Sequence, residues 1–89
     1  MNITDVKVQI IKNSGRVKAG ATIVIDDAIA IHDIKIIEGN RGIFMAMPDR
    51  RCTDGQFRDI VHPINHEVRF LIQDAVLEKY EEVIAEEGE

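Results

Sequence analysis

The apolar residues of this chain change their period once. Val6, Val8 and Ile10 alternate with Lys7 and Gln9, and Val17, Ala19, Ala21, Ile23 and Ile25 keep the same two-residue spacing. Further on, Val68, Leu71, Ile72, Ala75, Val76, Tyr80 and Val83 recur at spacings of three and four. The first spacing belongs to strands with one buried face, the second to a helix with one apolar stripe. Strands gathered ahead of a single helix predict an α+β fold, an antiparallel β-sheet of four to five strands with a C-terminal α-helix packed on one face.

The turns divide the strand region. Residues 3–12 form the first strand, and Asn13-Ser14-Gly15-Arg16 turns it into a second over 17–25, with Gly15 free to take a positive φ. Asp26-Asp27 is a tight connection to a third strand over 28–37. Two glycines and an asparagine in Glu38-Gly39-Asn40-Arg41-Gly42 turn the chain into a short fourth strand, 43–47, which Pro48 ends. A fifth short strand is expected over 56–61, before His62-Pro63-Ile64 breaks regularity. Asn65 then caps a helix over 66–85, with Glu67 in the first turn where the helix dipole favours a carboxylate. An acidic tail, 86–89, follows it. All 89 residues make one domain, because a chain this short buries only about 60 to 65% of its unfolded surface and cannot sustain two cores.

Two patterns point to a homodimer. In the third strand Ile29 and Ile31 face one way, and with Ala30, Ile34 and Ile36 the strand is apolar on both faces. Such a strand needs a cover on each side, and a second subunit would supply the one this chain lacks. On the helix, Phe70, Leu77 and Ile84 stand seven apart, nearly opposite the core stripe. They form either a subunit contact or the scattered apolar surface that ordinary proteins show.

A single cysteine excludes an internal disulfide and a four-cysteine zinc site, and a small domain without disulfides belongs in the cytoplasm. The chain has no apolar run long enough for membrane insertion, and Met1-Asn2-Ile3-Thr4-Asp5 leads into a strand without a signal peptide. Nothing predicts an enzyme or a cofactor. His62 and His66 have the separation of a helical zinc pair, but Pro63 and the Asn65 cap place them on different structure. His32 and Asp33 are neighbours in a strand and point to opposite faces, which makes His32 a structural histidine. Cys52 has no base beside it to make it a nucleophile.

Charge is distributed unevenly. Residues 78–89 hold six glutamates against Lys79, which accounts for the whole net charge of −5 and leaves the rest of the chain neutral. Between 35 and 58 the balance turns positive, with Lys35, Arg41, Arg50, Arg51 and Arg58 against Glu38, Asp49 and Asp54. Adjacent arginines between Pro48 and an Asp-Gly pair have no use in a core, and displayed guanidinium groups suit an anionic partner. The plainer account pairs Arg50, Arg51 and Arg58 with Asp49, Asp54 and Asp59 on a solvated loop. The acidic tail is either a frayed, solubilising helix end or a contact for a protein partner.

Several ordered segments carry a family resemblance. His32-Asp33-Ile34-Lys35, then Gly39-Asn40-Arg41-Gly42-Ile43-Phe44-Met45-Ala46-Met47-Pro48, then Asp54-Gly55-Gln56-Phe57-Arg58-Asp59-Ile60-Val61-His62-Pro63-Ile64-Asn65, then Ile72-Gln73-Asp74-Ala75-Val76-Leu77 resemble the SpoVG family of bacterial septation and sporulation regulators. The resemblance covers nearly the whole chain. It implies a small dimeric α+β protein that binds DNA and RNA and influences septum formation, sporulation and other regulated genes. With that implication the positive residues of 35–58, Arg50, Arg51, Arg58, Lys35 and Arg41, and Arg69 with them, are the expected nucleic-acid contacts; the alternative is a protein-interaction module of the division machinery, without direct nucleic-acid binding, whose acidic tail meets the protein partner. Arg50-Arg51-Cys52-Thr53 stands where the family commonly has lysine-arginine then threonine-proline, and Phe70 and Leu71 replace smaller or more polar residues. Arg69 matches.

Overall fold

The computed structural model describes residues 1–12 and 15–87. Asn13 and Ser14 of the first expected turn, and the last two residues of the acidic tail, lie outside them. Four strands, β1 (Ile3–Ile10), β2 (Val17–Ile25), β3 (Ile29–Gly39) and β4 (Gly42–Ala46), form an antiparallel sheet in the order β1-β2-β3-β4. β5 (Asp49–Arg51) and β6 (Phe57–Asp59) pair only with each other, and α1 (His66–Glu87) closes the chain. The fifth strand expected over 56–61 therefore exists in part but does not join the main sheet. Among the described residues no helix is long and apolar enough to cross a membrane.

The β2–β3 connection uses the Asp26-Asp27 pair as expected. Ala28 N donates to Ile25 O at 2.9 Å across the two aspartates, whose φ values are +53° and +52°. Positive φ at both central residues is the requirement of a type I′ turn. Asn2 N donates to Asp26 Oδ1 at 2.8 Å, and Asp27 N donates to Thr4 Oγ1 at 3.0 Å, so β1 helps to hold the turn.

The third strand does not have two apolar faces. Ala21 faces Ile34 and Ile23 faces Ile31, so Thr22 alone is set against His32 and Asp33, and Asp33 takes φ +64°. This is a β-bulge, and its extra residue reverses the alternation. Ile31, Ile34 and Ile36 consequently all face the core, while Ala30, His32, Asp33 and Lys35 are exposed and Ile29 is 61% exposed. The expectation of a doubly covered strand fails for this reason. His32 and Asp33 likewise both reach solvent, and His32 Nδ1 lies 3.3 Å from Thr22 Oγ1.

Other register shifts fall between Ile3 and Asp5 in the β1–β2 pair and between Val17 and Ala19 in the β2–β3 pair. Bulges increase local twist, and this sheet curls enough for α1 to meet both outer strands, β1 and β4. Ala75, Glu78, Lys79 and Glu82 lie over the start of β1, while Leu77, Tyr80 and Ile84 lie against Ile43 of β4. Ala19, Ala21, Ile23, Ile31, Ile34, Ile36, Met45, Met47, Ile72, Val76 and Tyr80 fill the core between them. Isoleucine dominates because β-branched side chains suit the sheet's buried face.

The helix stripe is rotated from its expected position. Ile72, Val76 and Tyr80 are buried, but Leu71 is 44% exposed. Leu77, expected on the far side, is half-buried against the core because β4 flanks the helix there. Phe70 and Ile84 remain exposed.

Candidate nucleic-acid interface

Met47 and Pro48 are buried, and they anchor the point where the chain leaves β4. The arginine segment beyond them is not an irregular loop. It is a short β-ribbon in which Asp49 faces Asp59, Arg50 faces Arg58 and Arg51 faces Phe57. Ile60 N donates to Pro48 O at 2.8 Å at the base, and Cys52 N donates to Gln56 O at 2.7 Å near the tip. Inside the tip, Gly55 N donates to Cys52 O at 3.0 Å, and Gly55 has φ +84°. A turn followed by a left-handed glycine is the usual geometry of a three-residue hairpin loop. Asp54 stiffens it, since its Oδ1 accepts from Gln56 N at 3.0 Å and its Oδ2 accepts from Arg58 Nη2 at 3.1 Å.

Alternation along the ribbon sorts its side chains. Arg50 and Arg58 share one face, and Asp49, Arg51, Phe57 and Asp59 share the other. The Arg58–Asp54 pair is an exposed ion pair, with side chains 64% and 47% accessible, and such pairs contribute about 0 to 1 kcal/mol. Among the described residues neither Arg50 nor Arg51 makes an ion pair. The plainer account of a self-neutralised loop therefore holds for Arg58 and not for the adjacent arginines. Like charges set directly opposite each other across a ladder repel. An anion between Arg50 and Arg58 would relieve that repulsion and accept charge-assisted hydrogen bonds from both.

The remaining expected contacts divide into two groups. Lys35 is exposed on β3 and shares a shallow depression with Pro48, Asp49 and Ile60, which places it at the foot of the ribbon. Arg41 sits in the β3–β4 turn at the other end of β4, beside Arg16, whose Nε donates to Glu38 O at 3.0 Å. Arg16 is not legible as a site residue in the sequence, because a lone arginine after a turn carries no signal until the fold brings Arg41 to it. Arg69 lies half-buried in the first turns of α1, where Asn65 Oδ1 caps the helix by accepting from Val68 N at 2.8 Å. Phe57 is a further residue that the charge pattern does not mark, and it stands 67% exposed on the ribbon. The histidines near the interface have separate roles: His62 Nδ1 lies 3.2 Å from Pro63 O, and His66 stacks on Phe70 with ring centroids 6.4 Å apart.

Comparison with known proteins agrees with the family resemblance of those segments. The profile of the family described as SpoVG matches residues 1–82. A protein of Caldicellulosiruptor saccharolyticus named "Putative septation protein SpoVG" is 52% identical over 85 residues, covering 96% of this chain and 97% of that protein. A Staphylococcus aureus protein of the same name is 52% identical over 83 residues, covering 93% of this chain and 83% of its own length. A Staphylococcus carnosus protein, again of that name, is 52% identical over 82 residues, covering 92% and 77%.

Proposed function

Because this chain belongs to the SpoVG family, we propose that it is a nucleic-acid-binding regulator of division septum formation and sporulation-type gene expression. In this reading the β5–β6 ribbon is its contact surface. The septation role rests on the name its relatives carry. The binding role rests on one observation above others, the facing pair Arg50 and Arg58 with Arg51 beside them, held on a short stiff ribbon. A two-stranded ribbon fits the major groove of duplex DNA, and guanidinium groups on it serve phosphate first and guanine edges second. Lys35 at the ribbon's foot adds to the same field. Arg41, with Arg16, would meet a different part of a long nucleic acid, and Arg69 would act near the helix start.

A mobility-shift titration at several salt concentrations tests this. Arg50→Ala/Arg51→Ala should weaken binding for all sequences and make the salt dependence shallower by about one unit of slope for each phosphate that the variant no longer neutralises. Unchanged affinity with unchanged slope would remove the ribbon from the binding site. The protein acts in this reading as a binding protein without cofactor chemistry.

We also propose a homodimer, on grounds that share only Ile84 with those the sequence suggests. β4 is an outer strand with a free edge, and Ile43 and Phe44 on it are 41% and 45% exposed beside Ile84 at 39%. Proteins cover or charge such apolar edges, and a second copy related by a two-fold axis would cover this one. Each dimer would then carry two ribbons.

A further inference from the structure

We infer that Phe57 is a stacking platform for an unpaired base, which makes single-stranded nucleic acid the preferred ligand of the ribbon. This inference rests on the nucleic-acid reading given above and narrows it. Phe57 is 67% exposed in a position fixed by β6, directly across the ladder from Arg51. Side chains so opposed have Cβ atoms about 5 Å apart, so the ring and the arginine leave the ribbon side by side on one face, within reach of adjoining parts of one nucleotide. The other exposed aromatics have company: Phe70 stacks on His66, and Phe44 lies in the β4 edge patch. Phe44 also has cations near it, Arg16 and Arg41, but Phe57 is the more open ring and the one whose cation stands directly across the ribbon from it. Bases in a duplex have their faces covered by their neighbours, whereas an unpaired base can lie on a ring while an arginine takes the adjoining phosphate. The ribbon has three residues per strand and is about 10 Å long. It offers one stacking position and not a continuous track.

The chain contains no tryptophan, so Phe57→Trp introduces a single reporter at the proposed site. Wild type, Phe57→Ala, Phe57→Trp and Arg50→Ala/Arg58→Ala would be titrated with a short oligouridylate, an oligothymidylate and a blunt DNA duplex of equal length, at one salt concentration. Phe57→Ala should bind single strands about tenfold more weakly and the duplex unchanged. The tryptophan emission of Phe57→Trp should be quenched by single strands and not by the duplex. Weaker binding of either single strand with the duplex unaffected supports the inference; equal weakening of strand and duplex overturns the preference for unpaired bases. If Arg50→Ala/Arg58→Ala fails to bind all three ligands while Phe57→Ala binds each as wild type does, the ribbon binds nucleic acid without stacking and the inference fails alone. If wild type binds none of the three, both readings fail, and the exposed Phe57 is better explained as a protein contact. Circular dichroism of each variant should match wild type, since these side chains are exposed.

Discussion

Asp33 decides which face of β3 is apolar. Its φ of +64° belongs to the left-handed region, which costs an ordinary residue about 1 to 2 kcal/mol, and which aspartate tolerates better than a β-branched residue does. Asp33→Val should therefore lower stability by about 1 to 2 kcal/mol, whereas Asp33→Gly should stay within about 0.5 kcal/mol of wild type because glycine adopts this φ freely but loses more chain entropy. Urea midpoints of the two variants check this; equal midpoints would mean that the bulge exerts no conformational selection. The sequence does contain a trace of the bulge. Apolar positions switch from odd (Ile29, Ile31) to even (Ile34, Ile36) across His32-Asp33, and a parity switch at an aspartate is how such a bulge looks in one dimension. Strict alternation turns the same switch into two apolar faces, since a polar residue in a strand ordinarily means only an outward position.

Among the elements, the helix and the main strands are legible because their periods are long and regular, and the ribbon is not. Asp49-Arg50-Arg51 and Phe57-Arg58-Asp59 have no buried face, and without one a strand leaves no alternation to read. Only the turn at Asp54-Gly55 and β6, inside the strand expected over 56–61, are visible, and β5 is not. The helix stripe is legible to within one position, and its rotation comes from β4, whose place beside Leu77 depends on how far the sheet curls. That rotation separates two adjacent leucine-sized residues in energy. Ile72→Ala, at 2% exposure, should cost about 2 to 5 kcal/mol. Leu71→Ala, at 44% exposure, should cost less than about 1 kcal/mol. Thermal unfolding of the pair checks the assignment, and a similar loss for both would return Leu71 to the core.

At the scale of the whole molecule, charge is separated along its length. Ile84 and Glu81 lie against Ile43 at the start of β4, and the ribbon departs beyond the end of β4. The 22 residues of α1 span about 33 Å, so its acidic end lies several screening lengths, each about 8 Å at physiological salt, from the helix start near Arg69. Removing residues 86–89 should therefore tighten nucleic-acid binding at low salt and leave it unchanged at about 0.15 M, as filter binding at the two salt levels would report. Tightening at both would place the tail much nearer the ligand. The apolar edge gives a separate prediction: sedimentation equilibrium at micromolar concentration should return twice the 10.0 kDa chain mass, and Ile43→Glu/Ile84→Glu should return the chain mass alone. A clean wild-type monomer would dismiss the dimer. The bulge of β3, finally, gives the molecule one place inside its sheet where the chain can be shortened without inverting the core. With Asp33 deleted, Ile31, His32, Ile34, Lys35 and Ile36 alternate in and out with no interruption, and Thr22 faces His32, which already lies within hydrogen-bond distance of it. Deleting Lys35 instead would turn every later residue of β3 to the wrong side. One single-residue deletion should be survivable and its close neighbour ruinous, a difference in tolerance to lost codons that hydropathy alone would never suggest.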